Sequence, residues 1–205
     1  MKLKKVYVFL IILCCSLNLQ ASKSHQLKAL SHQINEFFIQ DQALRNELIQ
    51  KNFKDDKVKQ KINELDKKSS NFILSLLSNY GWPEKSRLSA QTYHKFMTLI
   101  IHSSDKKMMQ QVFVHVLHDF LHDEGSDYQY FTLYVDKVFS KTHGYQIFGT
   151  QFQTPSENKK SAPKIWNKSH IDERRKKLNL MPLSTYKKMM NHMYTKKNKH
   201  VSKNF

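Results

Sequence analysis

Apolar residues recurring every three to four positions constrain this chain most, because a 3.6-residue period buries one stripe of a helix and cannot satisfy a strand. From Leu27 the stripe Leu27, Leu30, Ile34, Phe37, Phe38, Leu44 and Leu48 predicts a helix to about Gln50, with Asp41 in phase with it. Val58, Ile62, Leu65, Phe72, Leu76 and Leu77 predict a second helix over Asp56 to Asn79, stopped by Gly81 and Pro83, and the two should pack as a hairpin. Ser89 can cap a third helix running to His102; its apolar residues lie almost all round, so it should be central and buried. Asp105 can cap a fourth, whose apolar face includes Met108, Val112, Phe113, Val116 and Phe120 and which ends near Gly125.

Beyond it the signals shorten. Asp127 to Val138 reads as a fifth helix, and the loose alternation of Tyr145, Ile147 and Phe148 around His143-Gly144 reads as a small β-hairpin near 138–152. A Pro-, Ser- and Lys-rich connection, Thr154 to Lys168, precedes a helix over Ile171 to Leu180, then a Pro182-led turn into Leu183 to Tyr194. The expected fold is mainly α: about six helices and one small hairpin, in a single domain over 22–194.

The ends read differently. Lys2, Lys4 and Lys5, the apolar run Val6 to Leu17 and the small residue Ala21 have the order of a secretory signal peptide over 1–21, cleaved after Ala21. The run is shorter than the roughly 20 residues needed to cross a bilayer. Lipidation is the weaker alternative, since Leu13 and Cys14, which precede the two cysteines, are not the small residues such a site carries. An exported mature protein, periplasmic or extracellular, would then have no cysteine, no disulfide and no thiolate chemistry. About 180 residues remain, enough for one core-bearing domain.

The formal net charge of +17 is concentrated toward the C-terminus: fourteen Lys or Arg residues from Ser156 onward face only Glu157, Asp172 and Glu173. This excess favours anionic partners such as a charged surface, and residues 195–205 are expected to be a basic, disordered tail.

His115, His118 and His122 fall on one stripe of the fourth helix, with Asp119 and Asp123 adjacent. They span about 10 Å at the helical rise, so only His118 and His122 could reach one ion unaided. A solvated polar face is the better reading, and no metal or cofactor is expected. The sequence also lacks a Ser-His-Asp order, a P-loop, a dinucleotide fingerprint and a zinc-protease helix motif. Asp41 and Arg45 are more informative, one turn apart with the acid N-terminal. On an apolar stripe such a pair either belongs to an interior polar network or reaches water at the stripe's edge.

Asp41-Gln42 with Arg45, Gly81-Trp82-Pro83, His102, Asp136, Gln146, Phe148-Gly149-Thr150-Gln151, Arg174-Arg175 and Leu183 to Tyr186 stand in an order that resembles a bacterial family known as domain of unknown function 6624. Its pattern looks like DQxxR, GWP, QH, DR, YGTQ and RRxxxGL; here Ile101, Lys137, Phe148 and Asn179 replace its Gln, Arg, Tyr and Gly. The resemblance implies a polar site and no particular reaction. The matched residues suggest His102, Asp41 and Asp136 as candidate acid/base groups and Gln42, Arg45, Gln151, Arg174 and Arg175 as candidate contacts to a polar or anionic ligand. The expected function is a polar-ligand pocket on a helical scaffold, with hydrolysis among its chemistries. The alternatives are a network that only fastens the fold and a non-catalytic module that binds anionic surfaces or partners through its basic C-terminal region.

Overall fold

A computed structural model describes the backbone of residues 2–83, 85–122, 128–152 and 163–201, and the side chains within 26–83, 85–122, 128–152 and 163–192. The expected signal segment, 1–21, and basic tail, 195–205, lie outside the residues whose side chains are described.

The fold is mainly α, with seven α-helices among the described residues: α1 (Lys2–Gln50), α2 (Asp56–Tyr80), α3 (Ala90–His102), α4 (Lys106–His122), α5 (Tyr128–His143), α6 (Ile171–Lys177) and α7 (Leu183–Val201). None is long and apolar enough to cross a membrane. Their starts follow from local chemistry. Asp55, Ser89 and Asp105 accept hydrogen bonds from the N–H groups of Val58, Thr92 and Met108, satisfying donors that a first helical turn cannot pair internally. Gly81 ends α2 at φ 77°, a conformation that penalises most side chains.

Helix α3 packs against α1, α2 and α5, the central position expected from its apolar circumference. Ile34 of α1, Ile73 of α2, Phe96 and Ile100 of α3, Met108 and Val112 of α4 and Tyr134 of α5 form one core. Tyr134 is fully buried, and its hydroxyl donates to the Met109 carbonyl. Burial without that acceptor would be costly.

The β-hairpin expected near 138–152 is replaced by a different arrangement. Helix α5 continues to His143, and β1 (Tyr145–Gln146) pairs in parallel with β2 (Lys164–Ile165), Tyr145 opposite Lys164 and Gln146 opposite Ile165. The chain after Gln146 does not return along a ladder because a side chain takes its donors: the N–H groups of Ile147, Phe148 and Thr150 all point to the Asp136 carboxylate. A carboxylate that accepts backbone N–H groups does what a partner strand would do.

A 3-10 turn (Lys168–His170) leads into α6, and Asn179, just beyond its end, has φ 53°. This is the position where the resembled pattern has Gly, and Asn is among the few residues that tolerate such a backbone. Helix α7 turns Leu183 and Tyr186 inward and Lys187 and Lys188 outward.

Candidate functional site

The residues expected to share one pocket are divided between two polar networks. The first joins α1, α2, α3 and α5. Asp41, on the buried stripe of α1, is 2% exposed, and three side chains converge on its carboxylate. Arg45 Nε donates to Oδ1 at 2.6 Å, Gln42 Nε2 donates to Oδ2 at 2.9 Å, and His102 Nδ1 lies 2.7 Å from Oδ2. Arg45 also reaches across to α2, where Nη2 donates to Asp66 Oδ1 at 2.9 Å. One planar guanidinium therefore bridges two carboxylates through separate nitrogens, a geometry an ammonium cannot reproduce.

The surroundings separate the two acids. Burial raises the Asp41 pKa, but the His102 hydrogen bond and the charges of His102 and Arg45 outweigh it and hold the carboxyl below its ordinary value. Asp66 moves the other way, because burial outweighs the Arg45 charge and the charge of Asp41 adds to the rise. Helix α5 contributes Lys137, whose ammonium donates to the Ile101 carbonyl. Burial, aided by the Arg45 charge, brings its pKa down to about 7. Beneath the network the Ser70 hydroxyl donates to the Asp66 carbonyl, and the Ser70 and Ser103 oxygens are 2.7 Å apart.

His102 is the open element. Its side chain is 27% exposed, and with Nδ1 engaged by Asp41, Nε2 has no hydrogen-bond partner among the described residues. When the ring is neutral and its Nδ1 proton faces the carboxylate, Nε2 presents a lone pair outward, oriented by a buried acid.

The second network is built around Asp136, which is fully buried. Its Oδ1 accepts from the Ile147 and Phe148 N–H groups at 2.5 and 2.8 Å, and its Oδ2 from the Thr150 N–H and hydroxyl at 2.7 and 2.8 Å. Four donors occupy both oxygens, and none comes from Asp41, Arg45 or His102. Gln146 locks the same loop, with Oε1 accepting from Gln151 N–H and Nε2 donating to the Pro163 carbonyl. The Gln151 side chain turns back to the Leu133 carbonyl and the Thr150 hydroxyl. Gly149 allows the close packing, since a Cβ there would lie 2.7 Å from Leu183 Cδ1.

Arg174 and Arg175 also belong here. Arg174 donates to the carbonyls of Ile147, Trp166 and Asn167, stapling the loop to the chain after β2. Arg175, 2% exposed, donates to the Phe148 and Met181 carbonyls and lies over the Tyr186 ring at 4.8 Å. Of the eight candidates, then, Asp41, Gln42, Arg45 and His102 meet at one place, while Asp136, Gln151, Arg174 and Arg175 meet at another.

Asp66 and Lys137 were not among the candidates. Asp66 could have been found by the signal that marked Asp41: it follows Ile62 by one turn on a buried stripe that continues to Ser70 and Ile73. Lys137 carries no such mark. The histidines of α4 bind locally: His115 stacks on Trp82, His118 stacks on His122, and Asp119 accepts from Trp82 Nε1. Among the described residues no group of side chains is placed to hold a metal ion.

The profile of a family of unknown function (DUF6624) matches residues 29–199, and the chain belongs to that family. No curated protein and no solved structure matches it.

Proposed function

We propose that this DUF6624 chain binds a small polar ligand at the Asp41–His102 pair and uses the pair for acid/base chemistry of a hydrolytic kind. The observation that carries the reading is the graded exposure along one hydrogen-bonded line: a buried Asp41 held by Arg45, then a partly exposed His102 whose unpartnered Nε2 is not sealed from solvent. Asp41 fixes the ring, His102 and Arg45 together keep Asp41 ionised, and Nε2 takes a proton from water or substrate. Gln42, whose amide nitrogen is engaged by Asp41, keeps its oxygen available beside the pair as an acceptor.

The test is turnover of chromogenic carboxylic esters, phosphomonoesters and phosphodiesters by the purified protein and by folded His102→Gln and Asp41→Asn variants. A general base of this kind contributes roughly a hundredfold or more, so His102→Gln should lose at least that. Equal turnover by His102→Gln, or inertness of the wild-type protein toward all three bond classes, contradicts the hydrolytic reading.

Export is part of the proposal and rests on the Lys-rich start, the apolar run and Ala21. The intact mass of exported protein should match a chain beginning at Ser22; a species retaining acylated Cys15 would favour lipidation instead. A second reading, an anionic-surface module, is favoured by Lys187 and Lys188 standing on the exposed side of α7. Heparin retention that is unchanged on deleting 195–205 would remove the tail's share in it.

A further inference from the structure

We infer that a separate cavity behind the Asp136 loop binds a small organic acid, whose carboxylate pairs with Arg175 and whose apolar body lies against Leu133, Leu180 and Met181. The cavity has a volume of about 320 Å³ and is lined by residues of α5, the loop at Thr150, the segment after α6 and Tyr186. That is enough room for a compact ligand of a few heavy atoms.

Arg175 makes the site selective. A guanidinium so deeply buried is ordinarily paired with a carboxylate, because neutral acceptors compensate its desolvation only in part. Among the described residues no carboxylate pairs with Arg175. Nε and Nη1 donate to the Met181 and Phe148 carbonyls, and the Tyr186 ring covers one face. Nη2 has no partner among the described residues, where no unpartnered polar side-chain atom is sealed from solvent. Arg175 lines the cavity, and Nη2 is the guanidinium nitrogen left to meet a ligand there. Burial lowers the Arg175 pKa, consistent with a charge short of compensation. Of the two acids whose charges reach Arg175, Asp172 accepts from the Leu183 N–H, and Asp136 has both oxygens occupied by four donors.

The remaining lining decides the class of anion. Leu133, Leu178, Leu180 and Met181 present apolar side chains around a single cationic group. Inorganic phosphate would gain the charge and forfeit the apolar contact, and an alcohol of equal length would do the reverse. A short carboxylic acid satisfies both. The site shares no residue with the Asp41–His102 pair and does not depend on its chemistry.

Calorimetric titration of the full chain with hexanoate, hexanol and inorganic phosphate tests this. Hexanoate should bind at least about tenfold more tightly than either control, a difference of ~1.4 kcal/mol. Arg175→Lys should weaken hexanoate by at least about tenfold, because an ammonium cannot hold both carbonyls and still face the ligand. Should that variant fail to fold, Leu180→Trp fills the cavity without touching the guanidinium's partners. With helical circular dichroism retained, it should abolish hexanoate binding. Hexanol binding as tightly as hexanoate, phosphate binding more tightly, no heat with hexanoate, or unchanged hexanoate binding by folded Leu180→Trp would each overturn the inference.

Discussion

The two polar networks use the same residue types for opposite ends. Around Asp136 every donor is backbone or a neighbouring hydroxyl, and the carboxylate is consumed in shaping a loop. Around Asp41 the partners are side chains, two from its own helix and one from α3, and the line of bonds ends in a partly exposed ring. A buried acid that accepts backbone N–H groups replaces secondary structure. A buried acid that orients an imidazole has left one group free to meet something else. Helix α5 serves both, since Asp136 and Lys137 are consecutive and so face about 100° apart.

The comparison breaks first at Asp136. Asp136→Ala leaves three backbone N–H groups and a hydroxyl without their acceptor, and should cost about 4 kcal/mol or more in urea-measured stability. A cost below ~1 kcal/mol would mean that the loop does not depend on it. Arg45→Ala comes next, on the order of 3 kcal/mol, because it strands Asp41 and Asp66 together; an exposed pair would lose under ~1 kcal/mol. A double-mutant cycle between Arg45 and Asp136 should give additive costs, and strong coupling would merge the two networks.

The electrostatic difference shows in pH. Lys137 titrates near pH 7 folded against 10.5 ordinarily, so between those values the unfolded chain holds the extra proton. Its contribution to stability therefore rises with pH from about 7 toward 10.5. Lys137→Met should flatten that rise relative to wild type, and an unchanged pH profile would place the ammonium in water. The smallest stability effect belongs to His102→Gln, under ~1 kcal/mol, since a partly exposed ring is replaced by another polar group. Thermal melts giving a loss as large as that of Arg45→Ala would make His102 part of the fold's fastening.

Helices α1 to α4 were legible because each carries its own period, and α2, α3 and α4 also their own caps, written within a few adjacent residues. The 145–152 segment was not, because its conformation is set by an acid ten or more residues earlier, and local alternation of Tyr145, Ile147 and Phe148 imitates a strand whether or not a partner exists. The site divides along the same line. Asp41 and Arg45 reveal themselves by standing on an apolar stripe. Nothing local tells that Asp136 and Arg175 face away from His102, because the order of motifs along a chain records neither helix rotation nor which carbonyls need a donor.

The central claim is that His102 is held by Asp41 with its outer nitrogen free, and the ring's own nitrogens report on it most directly. Long-range proton–nitrogen NMR, with His102 assigned by its absence in His102→Gln, reads which nitrogen carries the proton in the neutral ring. The account predicts a proton on Nδ1 toward Asp41 and an unprotonated Nε2. A neutral ring protonated on Nε2 instead would contradict it.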